Sequence, residues 1–418
     1  MIPLLFTALR GPVFARFTRF SDRRSVPRFV CDQFQGGVVL ADWETHNPSG
    51  SKRVVCTKQL PGTRWLDLLT SADCSVEVGT STDILSVAEI KEKIGDNCDG
   101  VIGQLTEDWG EELFSVLKAA GVKVYANYAV GYNNVDVDSA TKHGLPVGNT
   151  PGVLTETTAE MAVALTFSAA RRVVEADEYM RGEQYKGWLP TLFLGELMTR
   201  KTVGVVGAGR IGASYAKMMI EGYKMNFLYY DLYQNKALED YLTGYGEFLK
   251  SQGEEPITWR KCETVEEVLR ESDVVSLHPL LDETTHHLMN TERLGVMKDN
   301  AILVNASRGP VIDEIALVEH LKAQPDFRVG LDVFEDEPAM KPGLKDCPNC
   351  VIVPHIASAT IWTREGMASL AAGNVAGILS GHPCWQDQDD ILDFLEGENP
   401  KAAPSIVNRD ELGLPAFA

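Results

Sequence analysis

Three apolar runs late in this sequence each end in a polar cluster: Ala301-Ile-Leu-Val-Asn-Ala-Ser-Arg308-Gly309, Gly330-Leu-Asp332-Val-Phe-Glu-Asp-Glu337-Pro338 and Val351-Ile-Val-Pro-His355-Ile356. An arginine, a glutamate and a histidine delivered in this way have complementary chemistry. The guanidinium can clamp a carboxylate and polarise a carbonyl, and the imidazole can give a proton to a developing alkoxide. The carboxylate can hold that proton on the ring and fix which nitrogen faces outward. Such a set suits reduction of a 2-keto acid, provided that a hydride donor binds beside it. Singly, each residue also has an ordinary structural reading, as an ion-pair partner, a loop carboxylate before proline or a capping histidine. Their common place at the ends of apolar runs, where an open α/β sheet has its ligand crevice, favours the joint reading.

The hydride donor has its own signature in Val203-Gly-Val-Val-Gly207-Ala-Gly209-Arg210-Ile211-Gly212. The spacing G-x-G-x-x-G is weak alone, but here it follows an apolar run and opens a helical pattern. Gly207 permits the tight turn, Gly209 lets backbone approach a pyrophosphate, Gly212 allows close packing of the helix, and the helix N-terminus attracts the anion. The next apolar run, Asn226-Phe-Leu-Tyr-Tyr230, ends in Asp231, whose carboxylate can accept the ribose hydroxyls of NAD and would repel the 2′-phosphate of NADP. NADH is therefore the expected cofactor, with Lys236 as the one nearby cation that weakens the discrimination. His278, in Ser276-Leu-His-Pro279, also ends an apolar run and reads as a wall of the cofactor pocket rather than the proton donor.

These residues need a scaffold, and the sequence alternates short apolar runs with helical patterns. Arg53 to Thr57, Ser75 to Val78, Gly100 to Gln104, Lys123 to Asn127 and Pro146 to Gly148 read as strands of a first parallel sheet. Thr202 to Val206, Asn226 to Tyr230, Val274 to Leu277, Ala301 to Asn305, Val329 to Val333 and Val351 to Val353 read as the six strands of a second. Helical stretches are expected over Ser86 to Ile94, Glu111 to Ala120, Thr157 to Tyr179 and Thr360 to Leu379, whereas Leu242 to Arg260 reads as an exposed excursion. The expected fold is α/β, with two doubly wound parallel-sheet domains and a cleft between them. Residues 38–156 and 360–418 would form the substrate-binding domain, the chain returning to complete it, and 157–359 a Rossmann cofactor domain.

Composition narrows the function further. Hydrophobic residues make up 44% of 418 residues and no apolar run reaches the roughly 18 needed to span a bilayer. The net charge of −20 argues against a nucleic-acid partner and no membrane partner is expected; eight scattered cysteines show no metal-ligand spacing beyond Cys347-Pro-Asn-Cys350, to which no role is given, and no metal is expected. Residues 1–37 stand apart. Arg10, Arg16, Arg19, Arg23, Arg24 and Arg28 face only Asp22 up to Cys31, with Phe14, Phe17 and Phe20 at helical spacing, which reads as an organelle transit peptide or a disordered leader.

Four further stretches make the chain similar to a known family: Pro61-Gly-Thr-Arg-Trp65, Asp99-Gly-Val-Ile-Gly-Gln-Leu-Thr-Glu-Asp-Trp109, Ala129-Val-Gly-Tyr-Asn-Asn-Val-Asp136 and Asn149-Thr-Pro-Gly-Val-Leu-Thr-Glu156. With the fingerprint and the polar clusters, they resemble the D-2-hydroxyacid dehydrogenases, and within them the plant-type NADH-dependent hydroxypyruvate reductases of photorespiration. The resemblance covers nearly everything after the leader. It implies that His355 is the proton donor, Glu337 its partner and Arg308 the substrate clamp. It implies that backbone amides near Gln104, Leu105, Val130 and Gly131 receive the substrate carboxylate. Thr158, Arg210, Ile211, Asp231, Pro279, Thr285, Ala306 and Asp332 fall where the family lines its dinucleotide pocket. Trp188 resembles a tryptophan that related reductases insert into the partner subunit's active site, and a homodimer is implied. The plant enzymes commonly end in Ser-Lys-Leu, whereas this sequence ends Gly-Leu-Pro-Ala-Phe-Ala418. Together with the leader, this gives the mitochondrion as the expected compartment, with the plastid behind it. Two alternatives stay open: a glyoxylate or D-lactate type of the same family, and a dinucleotide-sensing scaffold without activity.

Overall fold

The computed structural model describes residues 43–385, 391–396 and 401–417. The leader therefore lies outside the described residues. The strands are β1 (Trp43–His46), β2 (Lys52–Cys56), β3 (Cys74–Gly79), β4 (Gly100–Gly103), β5 (Val124–Asn127) and β6 (Val147–Gly148), then β7 (Thr202–Val206), β8 (Asn226–Tyr230), β9 (Trp259–Lys261), β10 (Val274–Leu277), β11 (Ile302–Asn305), β12 (Arg328–Leu331) and β13 (Cys350–Ile352). The α-helices are α1 (Arg64–Ser71), α2 (Val87–Ile94), α3 (Glu111–Ala119), α4 (Val137–Lys142), α5 (Thr155–Ala170), α6 (Val173–Arg181), α7 (Arg210–Tyr223), α8 (Lys236–Ser251), α9 (Val265–Glu271), α10 (Thr291–Gly295), α11 (Glu314–Ala323), α12 (Ile361–Leu379) and α13 (Ile391–Glu396).

The strands form two sheets, ordered β1-β3-β2-β4-β5-β6 and β13-β12-β11-β10-β7-β8-β9. Every pairing is parallel except β1 with β3. Central strands β4, β5, β10, β11 and β12 are buried along their whole length, because helices cover both faces. Helix α5 leaves the first sheet and packs on α7, β11 and β12 through Ala162, Leu165 and Ala169. Helix α12 packs back on α1, β4 and β5, and the segment after it hydrogen-bonds to β6 through Val147 with Val407 and Asn408. The chain thus returns to its first sheet, as the helical stretch after the last strand predicts.

Three expectations are corrected. The supposed excursion is largely the end of helix α8 followed by β9, which pairs with β8 as a seventh strand. Leu238, Leu242 and Leu249 bury one face of that helix, and its Glu239, also buried, accepts a hydrogen bond from the Tyr229 hydroxyl at 2.7 Å. Its glycines and charges masked this apolar stripe. The stretch Thr157 to Tyr179 is two helices, α5 and α6, separated at Arg172, whose φ of 53° breaks the helix. Strand β1 is new, an antiparallel edge whose mostly solvated side chains leave little apolar alternation. Among the described residues, no helix is long and apolar enough to cross a membrane.

Candidate active site

The fingerprint turn joins β7 to α7. Gly207 has φ 90°, and a Cβ there would lie 2.7 Å from the His278 carbonyl oxygen. A Cβ on Gly212 would lie 2.1 Å from the Gly207 carbonyl oxygen, so the helix can sit this close only with glycine at that position. At Gly209 the opposite holds: a Cβ would meet nothing within 4 Å. Gly209 is the N-cap of α7 and supplies no side-chain cap to the first turn of the helix, where Arg210 and Ile211 lie. Asp231 closes the turn from the end of β8, one carboxylate oxygen accepting from the Ala208 amide at 2.7 Å and the other from the Tyr233 amide at 2.9 Å. Lys236 is paired with Asp240 at 2.5 Å. Open space at Gly209, an uncapped helix start and an acid at the neighbouring strand end fit a dinucleotide.

Other expected pocket residues are at or near this turn or the adjacent strand ends. Pro279 abuts Gly207, Ala306 follows β11 and Thr158 is buried in the first turn of α5. His278 is tied to Ser276 Oγ at 2.8 Å and lies 5.5 Å from the Tyr215 ring, and burial drives its pKa down to about 3. A ring so held stays neutral and serves poorly as a proton donor. Thr285 is committed within its own loop, its hydroxyl donating to the Leu280 carbonyl at 2.6 Å.

The polar clusters converge. His355 Nδ1 and Glu337 Oε2 are 2.8 Å apart, and Glu337 Oε1 accepts from the Phe334 amide at 2.9 Å. Burial alone would raise the Glu337 carboxyl, but the hydrogen bond and charge of His355, the Phe334 amide and the charge of Arg308 outweigh it and hold the group below the usual carboxylate range. His355 has φ 51°, a backbone region that costs a non-glycine residue energy and persists only where the surroundings enforce it. Asp332 supplies the enforcement. Its carbonyl accepts from the His355 amide at 2.9 Å, and its buried carboxylate accepts from Ile356 at 2.6 Å and Ala357 at 3.0 Å. Each oxygen takes one backbone amide, so Asp332 supports the histidine loop, a role that the sequence alone did not assign to it.

Arg308 reaches from the second sheet to the loop after β5. Its Nε donates to Asn133 Oδ1 at 2.7 Å and its Nη1 to the Ser307 carbonyl at 2.8 Å, while Asn305 Nδ2 holds the Arg308 carbonyl at 2.8 Å. Burial lowers the guanidinium from its ordinary value, with the charge of Glu337 acting in the other direction. The guanidinium lies so close to Gly131 that a Cβ there would be 1.8 Å from Nη2. Gly131 is thereby placed beside the clamp. Leu105, Val130 and Gly131 make no backbone amide hydrogen bond to other described residues. Gln104 differs from expectation, since its amide already donates to Glu107 Oε2 at 2.8 Å. Trp188 is not brought to this site by its own chain; it is 79% exposed. Asn133 and Asn305 were not singled out from sequence. Asn133 lies within a quoted motif, but its contact crosses 175 positions and has no local signal. Among the described residues, no group of three His, Cys, Asp or Glu side chains converges as a metal site.

Comparison with known proteins agrees with this geometry. Residues 163–357 match the NAD binding domain of D-isomer specific 2-hydroxyacid dehydrogenase. A glycerate dehydrogenase from Arabidopsis thaliana, named peroxisomal, is 63% identical over 376 residues, covering 89% of this chain and 97% of that protein. A glyoxylate reductase from Thermococcus litoralis is 40% identical over 318 residues, covering 75% and 85%. Among solved structures, a Thermus thermophilus protein superposes with a TM-score of 0.70 at 36% identity, covering 85% of this chain and 99% of its own. The peroxisomal relative overturns the mitochondrial expectation. That expectation rested on leader composition together with the C-terminal residues, and compartment addresses are read by receptors, so arginine content is a poor discriminator. The chain is an NAD-binding oxidoreductase and belongs to the D-2-hydroxyacid dehydrogenase family.

Proposed function

We propose that this enzyme reduces hydroxypyruvate to D-glycerate with NADH, and glyoxylate to glycolate as a second activity. The observation that carries the reading is the His355–Glu337 pair at 2.8 Å, on the same wall of the cleft as Arg308. Names of relatives support it, glycerate dehydrogenase in two plants and glyoxylate reductase in several archaea. When bound, the cofactor supplies the hydride that reduces the keto carbon. The protein's residues do the rest. Arg308 binds the substrate carboxylate and polarises the carbonyl with its planar fork, in place of the Asn133 contact or beside it. His355, with Nδ1 occupied by Glu337, presents Nε2 to the carbonyl oxygen and transfers its proton there. Glu337 stabilises the charged ring before transfer and fixes its orientation. In the oxidative direction the same Nε2 takes the proton back.

NADH is preferred over NADPH because Asp231 stands at the ribose position and Lys236 is drawn to Asp240. Residues 43–156 with 360–417 form the substrate side and 157–359 the cofactor side. The exposed segment with Trp188, Leu189, Leu194 and Leu197 is apolar enough to need a cover, and a second copy is the proposed one, giving a homodimer. Light scattering of the full chain tests this, a monomer refuting it. Loss of NADH absorbance with hydroxypyruvate tests the activity. Absence of turnover at millimolar substrate refutes it and favours a dinucleotide-sensing scaffold, which shares the fold without the chemistry.

A further inference from the structure

Three buried or half-buried asparagines next to the substrate loops have no part in the proton chemistry, yet each donates its side-chain amide to a backbone carbonyl of those loops. Asn134 Nδ2 donates to the Gln104 carbonyl at 3.1 Å, Asn149 Nδ2 to the Val130 carbonyl at 2.9 Å, and Asn127 Nδ2 to the Gly131 carbonyl at 3.0 Å. In a trans peptide the carbonyl and the following N–H point in opposite directions. Pulling the Gln104, Val130 and Gly131 carbonyls toward the asparagines therefore turns the N–H groups of Leu105, Gly131 and Tyr132 the other way. Gly131 is the residue that abuts the Arg308 guanidinium, so two of these peptides adjoin the clamp.

The asparagines are themselves fixed. Asn127 accepts from the Tyr125 hydroxyl at 3.0 Å and donates to Asn134 Oδ1 at 3.1 Å. Asn149 Oδ1 accepts from Ser405 Oγ at 2.6 Å, its carbonyl accepts from Asn374 Nδ2 at 2.9 Å, and Asn374 Oδ1 accepts from the Ser405 amide at 2.7 Å. Ser405 lies 256 positions from Asn149, in the segment after α12, and is buried. That distant segment is thus wired to the Val130 peptide through a single side chain.

We infer that Asn134, Asn149 and Asn127 are positioning residues that aim the Leu105, Gly131 and Tyr132 amides at the carboxylate of the substrate, with Ser405 holding Asn149 for that task. The inference rests on the reading of the site as one for 2-keto acids. An aspartate at position 134 or 149 keeps the shape but replaces the donor with an acceptor, so the carbonyl is repelled and its peptide loses its orientation.

The experiment compares wild type with Asn134→Asp, Asn149→Asp and Ser405→Ala in the full chain, using hydroxypyruvate and its uncharged methyl ester as paired substrates. NADH affinity by fluorescence and binding of oxamate to the NADH complex are measured alongside. The aspartate variants are expected to raise KM for the acid on the order of tenfold or more, with a smaller change in kcat, and to leave the ester's efficiency and NADH affinity nearly unchanged. The acid-to-ester preference and oxamate affinity then fall together. Ser405→Ala, which removes only the hydroxyl, gives the same pattern at smaller size and serves if the aspartate variants do not fold. A parallel loss for acid and ester, or an unchanged preference in all variants, overturns the inference. Wild type that fails to reduce hydroxypyruvate yet binds oxamate refutes the proposed substrate instead, and the oxamate comparison still decides the role of the asparagines.

Discussion

The two walls of the candidate site are built on different principles. On the second sheet, chemistry is carried by side chains in the loops that follow three strands: Arg308 after the buried β11, Glu337 after the buried β12 and His355 after the edge strand β13. On the first sheet, the residues facing Arg308 offer mostly backbone, and asparagine side chains behind them hold the peptide planes. One wall handles protons and charge with titratable groups; the other holds backbone amides in place with groups that do not titrate. Mutation should therefore separate them, since changes on the second-sheet side alter turnover and pH response and changes on the first-sheet side alter affinity for the acid.

The largest effect is expected for His355→Ala, with kcat reduced on the order of 100- to 10,000-fold in both directions and NADH binding largely kept. Stopped-flow turnover and fluorescence titration together check this. Next comes the junction of the walls. Gly131→Ala drives a methyl group into the Arg308 guanidinium, and Arg308→Lys replaces a planar fork by a point charge. Both should cost about 1.5 to 3 kcal/mol or more in kcat/KM, with KM and kcat affected together for Arg308→Lys and mainly KM for Gly131→Ala. Steady-state kinetics with hydroxypyruvate distinguishes them. A smaller and different effect is expected at the cofactor turn. Asp231→Ser should lower NADH efficiency by roughly 1.5 to 3 kcal/mol while leaving or improving NADPH use, measured as the ratio of the two efficiencies.

The walls also differed in how much the sequence disclosed. Strands Thr202–Val206, Asn226–Tyr230 and Val274–Leu277 were readable to the residue, because unbroken apolar runs bounded by polar residues leave little choice of ends. Gly207 and Gly212 of the fingerprint were readable because each has a local steric task. Helix α8 was missed because Gly244, Gly246 and Glu247 interrupt an apolar stripe that is clear only once Leu238, Leu242 and Leu249 are seen to share a face. That Asp332 also holds the Ile356 and Ala357 amides, 24 and 25 positions away, had no local signal in the sequence. Asn134 and Asn149 were present in the quoted motifs and Asn127 ended an expected strand, but a side-chain amide declares its purpose only through the carbonyl it meets, and those partners are fixed by tertiary packing. Groups that act through their own chemistry are thus easier to find than groups that act by holding something else.

The central claim is that Glu337 and His355 work as one proton source, and the pH dependence of reductive kcat/KM in wild type and Glu337→Gln tests it most directly. The carboxyl of Glu337 is held below the usual range, so it is ionised throughout neutral pH, and its charge favours the protonated ring opposite it. The pair loses this support only as pH falls through the depressed carboxyl value, well below the working range. In Glu337→Gln the negative charge is gone at every pH, so the ring gives up its proton more readily. The variant is expected to stay active in acid and lose reductive activity, as pH rises, at a lower pH than wild type does; oxidation, which needs the neutral ring, should extend further into acid. Reductive limbs that superimpose would contradict the account.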